Sequence, residues 1–146
     1  RLFHIYGPGL NLDDGRVYSD FLKNLLLRED IVIKSDGQDI RSFCYLSDAI
    51  TGLLLVLLLG KNNETYNIGN PEQTYKIKEL AKILCEIDLG YKTKIVFKQN
   101  LNKNYLKSKF KTHAPDVKKL KLLNWNPKIN VKEGFKRTIE SHAHEY

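Results

Sequence analysis

The sequence predicts an α/β fold, and three observations carry that prediction. Short β-type runs alternate with helical ones along the chain, a pattern that places helices against a sheet. Ile77, Leu80, Ala81, Leu84 and Ile87 recur at helical spacing, which makes one face of that segment apolar. The length of 146 residues suffices for one compact domain with a core of its own.

The elements follow in order. Residues 1–6 read as an opening strand, broken by Tyr6-Gly7-Pro8-Gly9. A loop with Asp13-Asp14-Gly15 leads into a helix that carries Val17, Phe21, Leu22, Leu25 and Leu26 on one face. Ile31-Val32-Ile33 is a short strand and Ser35-Asp36-Gly37 a turn. A second strand at about 40–46 is expected to pair with the first as a hairpin-like unit. Ser47 or Asp48 is expected to cap the next helix, and Gly60 to end it. The apolar run Leu53 to Leu59 in that helix is far short of the roughly 20 residues a membrane span needs, so a buried helix is predicted. Residues 65–68 form a strand closed by Gly69-Asn70-Pro71, and the 77–87 helix leads to a strand at 94–97. Residues 98–113 are a basic connection without periodicity. Pro115-Asp116 opens a short helix with Val117, Leu120 and Leu123 inward, and Asn130 and Glu133 have capping-box spacing for the last helix.

Apolar residues make up 42% and charged residues 28%, an ordinary globular composition that argues against disorder. The formal charge of +7 admits nucleic acid, an anionic membrane or a phosphorylated small molecule as partner. Cys44 and Cys85 have no paired spacing, so neither a disulfide framework nor a zinc site is predicted, which suits a reducing cytoplasm. His142 and His144 are two apart, a spacing that on a helix points them to different faces and argues against a metal site. The chain contains no methionine and begins directly on a β-type run, so a truncated N-terminus is expected.

Four segments together resemble the C-terminal half of sugar-nucleotide enzymes among the extended short-chain dehydrogenases. Arg1-Leu2-Phe3-His4-Ile5-Tyr6-Gly7-Pro8 is similar to that family's R-x-F-N-x-Y-G-P. Asp14-Gly15-Arg16-Val17-Tyr18-Ser19-Asp20-Phe21 resembles the D-G-R-V-V-S-N-F of UDP-glucuronate decarboxylases, and residues 36–48 resemble G-x-Q-x-R-x-F-x-Y-V-x-D. Tyr66-Asn67-Ile68-Gly69-Asn70-Pro71 is the fourth, and a weaker fifth runs from Pro115-Asp116 to Trp125-Asn126-Pro127. The resemblance implies that residues 1–146 are a substrate-binding lobe plus the last strands of a Rossmann-like NAD(P)-binding fold whose N-terminal part is missing. Residues 1–6 and 65–69 would be strands of that sheet.

The same resemblance implies site residues. Arg41 stands at the position that grips a diphosphate, where a planar guanidinium matches phosphate oxygens; read alone it is a surface arginine ending a strand. Arg16 either reaches the substrate or pairs with Asp13 or Asp14. His4 stands where the family has an asparagine that contacts substrate, or is a satisfied core residue. Asp116 matches an aspartate that helps bind the nucleotide, or is a helix cap, and the arginine expected near it is His113, with Lys109 or Lys111 available to replace the lost charge. Lys34 stands where relatives carry an aromatic near the nucleobase, which leaves the base open, with UDP the default.

NAD is the cofactor the resemblance implies, bound by the missing N-terminal domain. It takes a hydride from sugar C4 while a tyrosine, tuned by the lysine of Y-x-x-x-K, removes the hydroxyl proton. The resulting 4-keto sugar is then re-reduced, dehydrated or decarboxylated, an isomerase or lyase outcome. No glycine-rich phosphate turn exists among the nine glycines. Tyr105 to Lys109 fits Y-x-x-x-K but lies after the substrate motifs instead of before them, so it is rejected and no catalytic residue is assigned. The resemblance further implies a homodimer at full length, while the cysteine usage points to the cytoplasm and the short apolar run to no membrane partner.

Two other classes remain open from sequence. Residues 98–121 hold eight lysines and one acidic residue, with Tyr105 and Phe110 among them, a composition able to bind nucleic-acid backbones. The other is a non-catalytic interaction module. Against the first, the stretch has no arginine and matches no nucleic-acid-binding fold.

Overall fold

The structure, a computed structural model, describes residues 1–87, 89–98 and 111–143. Three small sheets organise it. In the first, β1 (Ile5–Tyr6) pairs in parallel with β4 (Cys44–Tyr45), and β1 is extended by a single parallel bridge between Leu2 and Ile68. The opening run is therefore interrupted at His4, whose φ is +42°, and residues 65–68 contribute one bridge instead of a strand. The Phe3 N–H donates to Ile68 O at 2.9 Å and the Ile68 N–H to Arg1 O at 2.8 Å.

The second sheet joins β2 (Ile31–Ile33) and β6 (Ile95–Phe97) in parallel. The third is mixed: β3 (Ile40–Ser42) lies between antiparallel β5 (Thr74–Lys76) and parallel β7 (Thr112–His113). The expected hairpin between the 31–33 and 40–46 strands does not form. The turn at Gly37, with φ of +67°, is tied to the helix that follows β5: the Lys78 N–H donates to Gly37 O at 3.1 Å and the Ile77 N–H to Asp39 O at 3.0 Å. Those bonds carry β3 away from β2, and Phe43 divides the expected long strand into β3 and β4.

The helices match their periodicity more closely. In α1 (Val17–Leu26), Tyr18, Phe21, Leu22 and Leu25 are buried at i, i+3, i+4 and i+7. In α3 (Ile77–Cys85), Ile77, Leu80, Ala81 and Leu84 are buried. For α5 (Val131–His142), the Asn130 side chain accepts the Glu133 N–H at 2.9 Å, the cap read from sequence. These helices and β2 enclose a main core in which Tyr6 stacks on Phe135, centroids 4.0 Å apart. The short α4 (Lys118–Lys121) starts two residues later than Asp116 and buries Leu120.

The 46–59 helix departs from expectation twice. In α2 (Leu46–Leu59) the N-cap is Tyr45, without a side-chain cap. Asp48 is instead buried, accepting the Lys128 and Ile129 N–H groups at 3.0 and 2.9 Å, while its backbone carbonyl accepts Trp125 Nε1–H at 2.9 Å. The helix is also not buried. Its inner side, with Ala49 and Gly52, packs on a second core of Cys44, Ile68, Leu120 and Trp125. Its outer side leaves Leu57 and Leu58 78% and 75% exposed. An all-apolar segment has no polar face to say which side is covered. Among the described residues no helix is long and apolar enough to cross a membrane.

Candidate functional site

An open cavity of about 940 Å³ lies where β1, β3, β7 and the start of α1 meet. His4, Arg16, Tyr18, Asp39, Arg41 and His113 are among its walls. Three of the five residues singled out from sequence, Arg41, Arg16 and His4, thus converge there.

Arg41 sits in the middle strand of the mixed sheet, opposite His113. Its guanidinium is 3.1 Å from Asp39 Oδ2, and Nη1 donates to Ile40 O at 2.8 Å and Lys111 O at 3.4 Å. The side chain is only 12% exposed. Three of its five N–H donors are thereby engaged, which fixes the plane of the fork and leaves donors for an acceptor in the cavity.

Arg16 occupies the N-cap of α1. Its Nε lies 3.1 Å from Asp14 Oδ2, and its Nη1 donates to the Tyr18 hydroxyl, which donates in turn to Ile5 O at 3.3 Å. Of the sequence alternatives, pairing with Asp14 and a place in the cavity wall hold together; Asp13 pairs with Lys23 instead. Burial pushes the Tyr18 phenol pKa up, and the bond from Arg16 opposes that shift.

His4 is half-buried, and its Nδ1 has no hydrogen-bond partner among the described residues. Its ring meets that of His113 edge-on, centroids 5.2 Å apart. Burial, then the charges of His113, Arg41 and Arg16, lower its pKa to about 4. A place that disfavours one more proton has a positive potential, and that potential favours an anion.

Lys34 and Asp116 are not brought to this cavity. Lys34 Nζ lies 2.6 Å from Asp20 Oδ2, and the neighbouring Ser35 takes the cavity wall. Asp116 lines a separate cleft of about 270 Å³ with Asn67 and Lys118. Its carboxylate accepts the Lys118 N–H at 2.9 Å and its carbonyl the Asn67 amide at 2.9 Å, while the N-cap of α4 is Val117 and not Asp116. Lys109, the Tyr105–Lys109 match and His144 lie outside the described residues.

Sequence reasoning did not single out Asp39 or Tyr18. Asp39 was legible from strand period: two residues before Arg41, it shares that side of the chain. Tyr18 was legible as a polar tip on a buried helical face, where a phenol needs a partner. His113 was flagged only as a departure from the family pattern, yet it forms part of the wall.

The site holds cations, their carboxylate partners and imidazoles, and so can bind an anion. β4 runs directly into α2 with Tyr45 as N-cap and no glycine turn between them, so this strand–helix junction offers no pyrophosphate cradle. Among the described residues no three His, Cys, Asp or Glu side chains form a metal-binding group.

Residues 1–69 match the NAD dependent epimerase/dehydratase family. UDP-glucuronic acid decarboxylase 1 of Arabidopsis thaliana is 36% identical over 140 residues, covering 95% of this chain and 30% of that protein. The Xenopus tropicalis UDP-glucuronic acid decarboxylase 1 is 32% identical, covering 95% and 31%. Among solved structures, the UDP-glucose 4-epimerase of Thermotoga maritima with UDP-glucose aligns at a TM-score of 0.81 and 30% identity, covering 99% of this chain and 45% of that one. The UDP-glucuronic acid 4-epimerase of Bacillus cereus, in complex with UDP-glucuronic acid and NAD, aligns at 0.81 and 25% identity, covering 100% and 45%. The chain spans about a third of the length of these decarboxylases. With its parallel strand pairs, its α/β order and these similarities, the chain belongs to the NAD-dependent epimerase/dehydratase family.

Proposed function

We propose that this chain is the sugar-nucleotide-binding part of an NAD-dependent epimerase, dehydratase or decarboxylase that works through a 4-keto sugar. One observation carries the reading: Arg41, Arg16 and His4, chosen from separate sequence segments, line one cavity. In this reading Arg41, its fork braced by Asp39, holds the diphosphate, and Arg16 supplies the second cation from the α1 N-terminus. The helix terminus itself adds N–H groups and a favourable dipole for negative charge. Relatives that act on UDP-glucuronic acid make a UDP-linked sugar the first substrate to test. NAD is held by residues other than these, in line with the absence of a glycine turn at the β4–α2 junction.

Calorimetric titration with UDP-glucuronic acid and with NAD tests the proposal. Saturable binding of the UDP-sugar, with no measurable NAD binding to residues 1–146, is expected. Micromolar NAD binding would overturn the division of labour. Salt-sensitive oligonucleotide binding in place of UDP-sugar binding would favour a nucleic-acid module instead.

A further inference from the structure

We propose that His4 takes up a proton when a dianionic group such as a diphosphate occupies the cavity, so that binding strengthens as pH falls. The inference rests on the anion-binding reading of the site and adds a proton to it.

The geometry sets the His4 ring in place. His4 is held at φ +42° by parallel pairing on both sides, through the Phe3 N–H to Ile68 O and the Cys44 N–H to His4 O. That backbone region is costly for a residue other than glycine, and such strain persists where surrounding structure enforces it. The ring is thereby fixed against His113, 5.2 Å away and nearly perpendicular. His4 Nδ1 has no hydrogen-bond partner among the described residues, so a proton placed there can be donated to an anion in the cavity.

The charged groups around His4 come from every wall. The α1 side presents Arg16, Asp14 and the Tyr18 phenol; β3 presents Arg41 and Asp39; β7 presents His113 itself. Asp14 holds Arg16 and Asp39 holds Arg41, yet the net field still works against protonation. Burial and the three cationic neighbours lower the His4 pKa to about 4 in the empty site. An anion seated between the two guanidiniums cancels two of those neighbours and attracts the proton directly. By linkage, whatever the proton does for the anion, the anion does for the proton.

Two probes keep their own charge constant between pH 5.5 and 8: sulfate, and UDP-glucose, whose diphosphate is a diester. Each is titrated calorimetrically into the protein at pH 5.5 and 7.5, in two buffers of different ionisation heat, so that proton uptake is read directly. Expected is uptake approaching one proton at pH 5.5, with UDP-glucose affinity about 5–10-fold higher there than at pH 7.5. In His4→Asn, both uptake and pH dependence should vanish. Asparagine tolerates the left-handed backbone at residue 4, and a melting curve at pH 7.5 reports whether the variant is folded. UDP-glucose binding of equal affinity at both pH values, without proton uptake, overturns the inference and leaves the sugar-nucleotide reading intact. Sulfate binding with proton uptake, but no UDP-glucose binding, upholds the inference and removes that reading. Binding of neither probe overturns both, and uptake that persists in His4→Asn overturns the inference by assigning the proton to another group.

Discussion

Arg41 on β3 lies directly opposite His113 on β7 in parallel register, so a guanidinium and an imidazole share one rim of the cavity. The register also accounts for the bond from Arg41 Nη1 to Lys111 O, which ties the fork to the neighbouring strand. Arg41→Ala should weaken UDP-sugar binding by about 1.5–3 kcal/mol, the scale of a hydrogen bond to a charged group, or roughly 10–150-fold. Calorimetry on the folded variant decides. Unchanged affinity would reduce Arg41 to a brace between β3 and β7.

Asp48 is the hinge pin between α2 and the 125–129 segment. Its carboxylate accepts two backbone N–H groups from Lys128 and Ile129 in a part-buried place. Asp48→Ala strands both donors and should cost about 2–4 kcal/mol, since each unsatisfied buried group costs about 1–3 kcal/mol. Urea denaturation measures it. A loss below 0.5 kcal/mol, on the order of an ordinary surface substitution, would show that water replaces the carboxylate.

Gly134 reverses the usual order of helix propensity. Alanine in a helix normally exceeds glycine by about 0.8–1 kcal/mol. Here a Cβ would meet the Tyr6 hydroxyl and, at 3.0 Å, the Tyr45 ring. Gly134→Ala should therefore destabilise the fold by about 1–3 kcal/mol, the range for overpacking. Tyr6→Phe in the same chain removes the obstructing oxygen, at the expense of its bond to Val131 O. The double variant should recover part of the loss, and a thermal melt showing no recovery would place the clash elsewhere.

The His4 ring makes stability depend on pH even without ligand. Its pKa is lowered to about 4 in the fold, against about 6.5 in an unfolded chain. The unfolded chain therefore binds more protons between those values, and folding stability falls as pH drops from about 6.5 towards 4. With the ring half-buried and partly screened, the loss is on the order of 1–2 kcal/mol. His4→Asn should flatten this limb of the stability–pH curve. If the wild-type and variant curves keep the same shape across that window, His4 is not the group that titrates.

What the sequence determined by itself is local. The faces of α1 and α3 were legible because five apolar residues at helical spacing leave one consistent choice of inner side. The Asn130 cap was legible because its partner is three residues away. Arg16, Arg41 and His4 stood out as polar residues inside recognisable segments, and Asp39 stood within reach by strand period. What only the tertiary structure decided is non-local. Strands of two or three residues carry too little pattern to specify a partner or register, so β3 could not reveal that its partners are β5, about 35 residues on, and β7, about 70 residues on. Lys34 and Asp116 carry charge suited to a ligand, but their neighbours Asp20 and Lys118 engage them outside the cavity. The helix α2 shows the same limit most clearly. Its stretch from Gly52 to Leu59 is apolar on every side, and only packing decides that Ala49 and Gly52 face the core while Leu57 and Leu58 face outward.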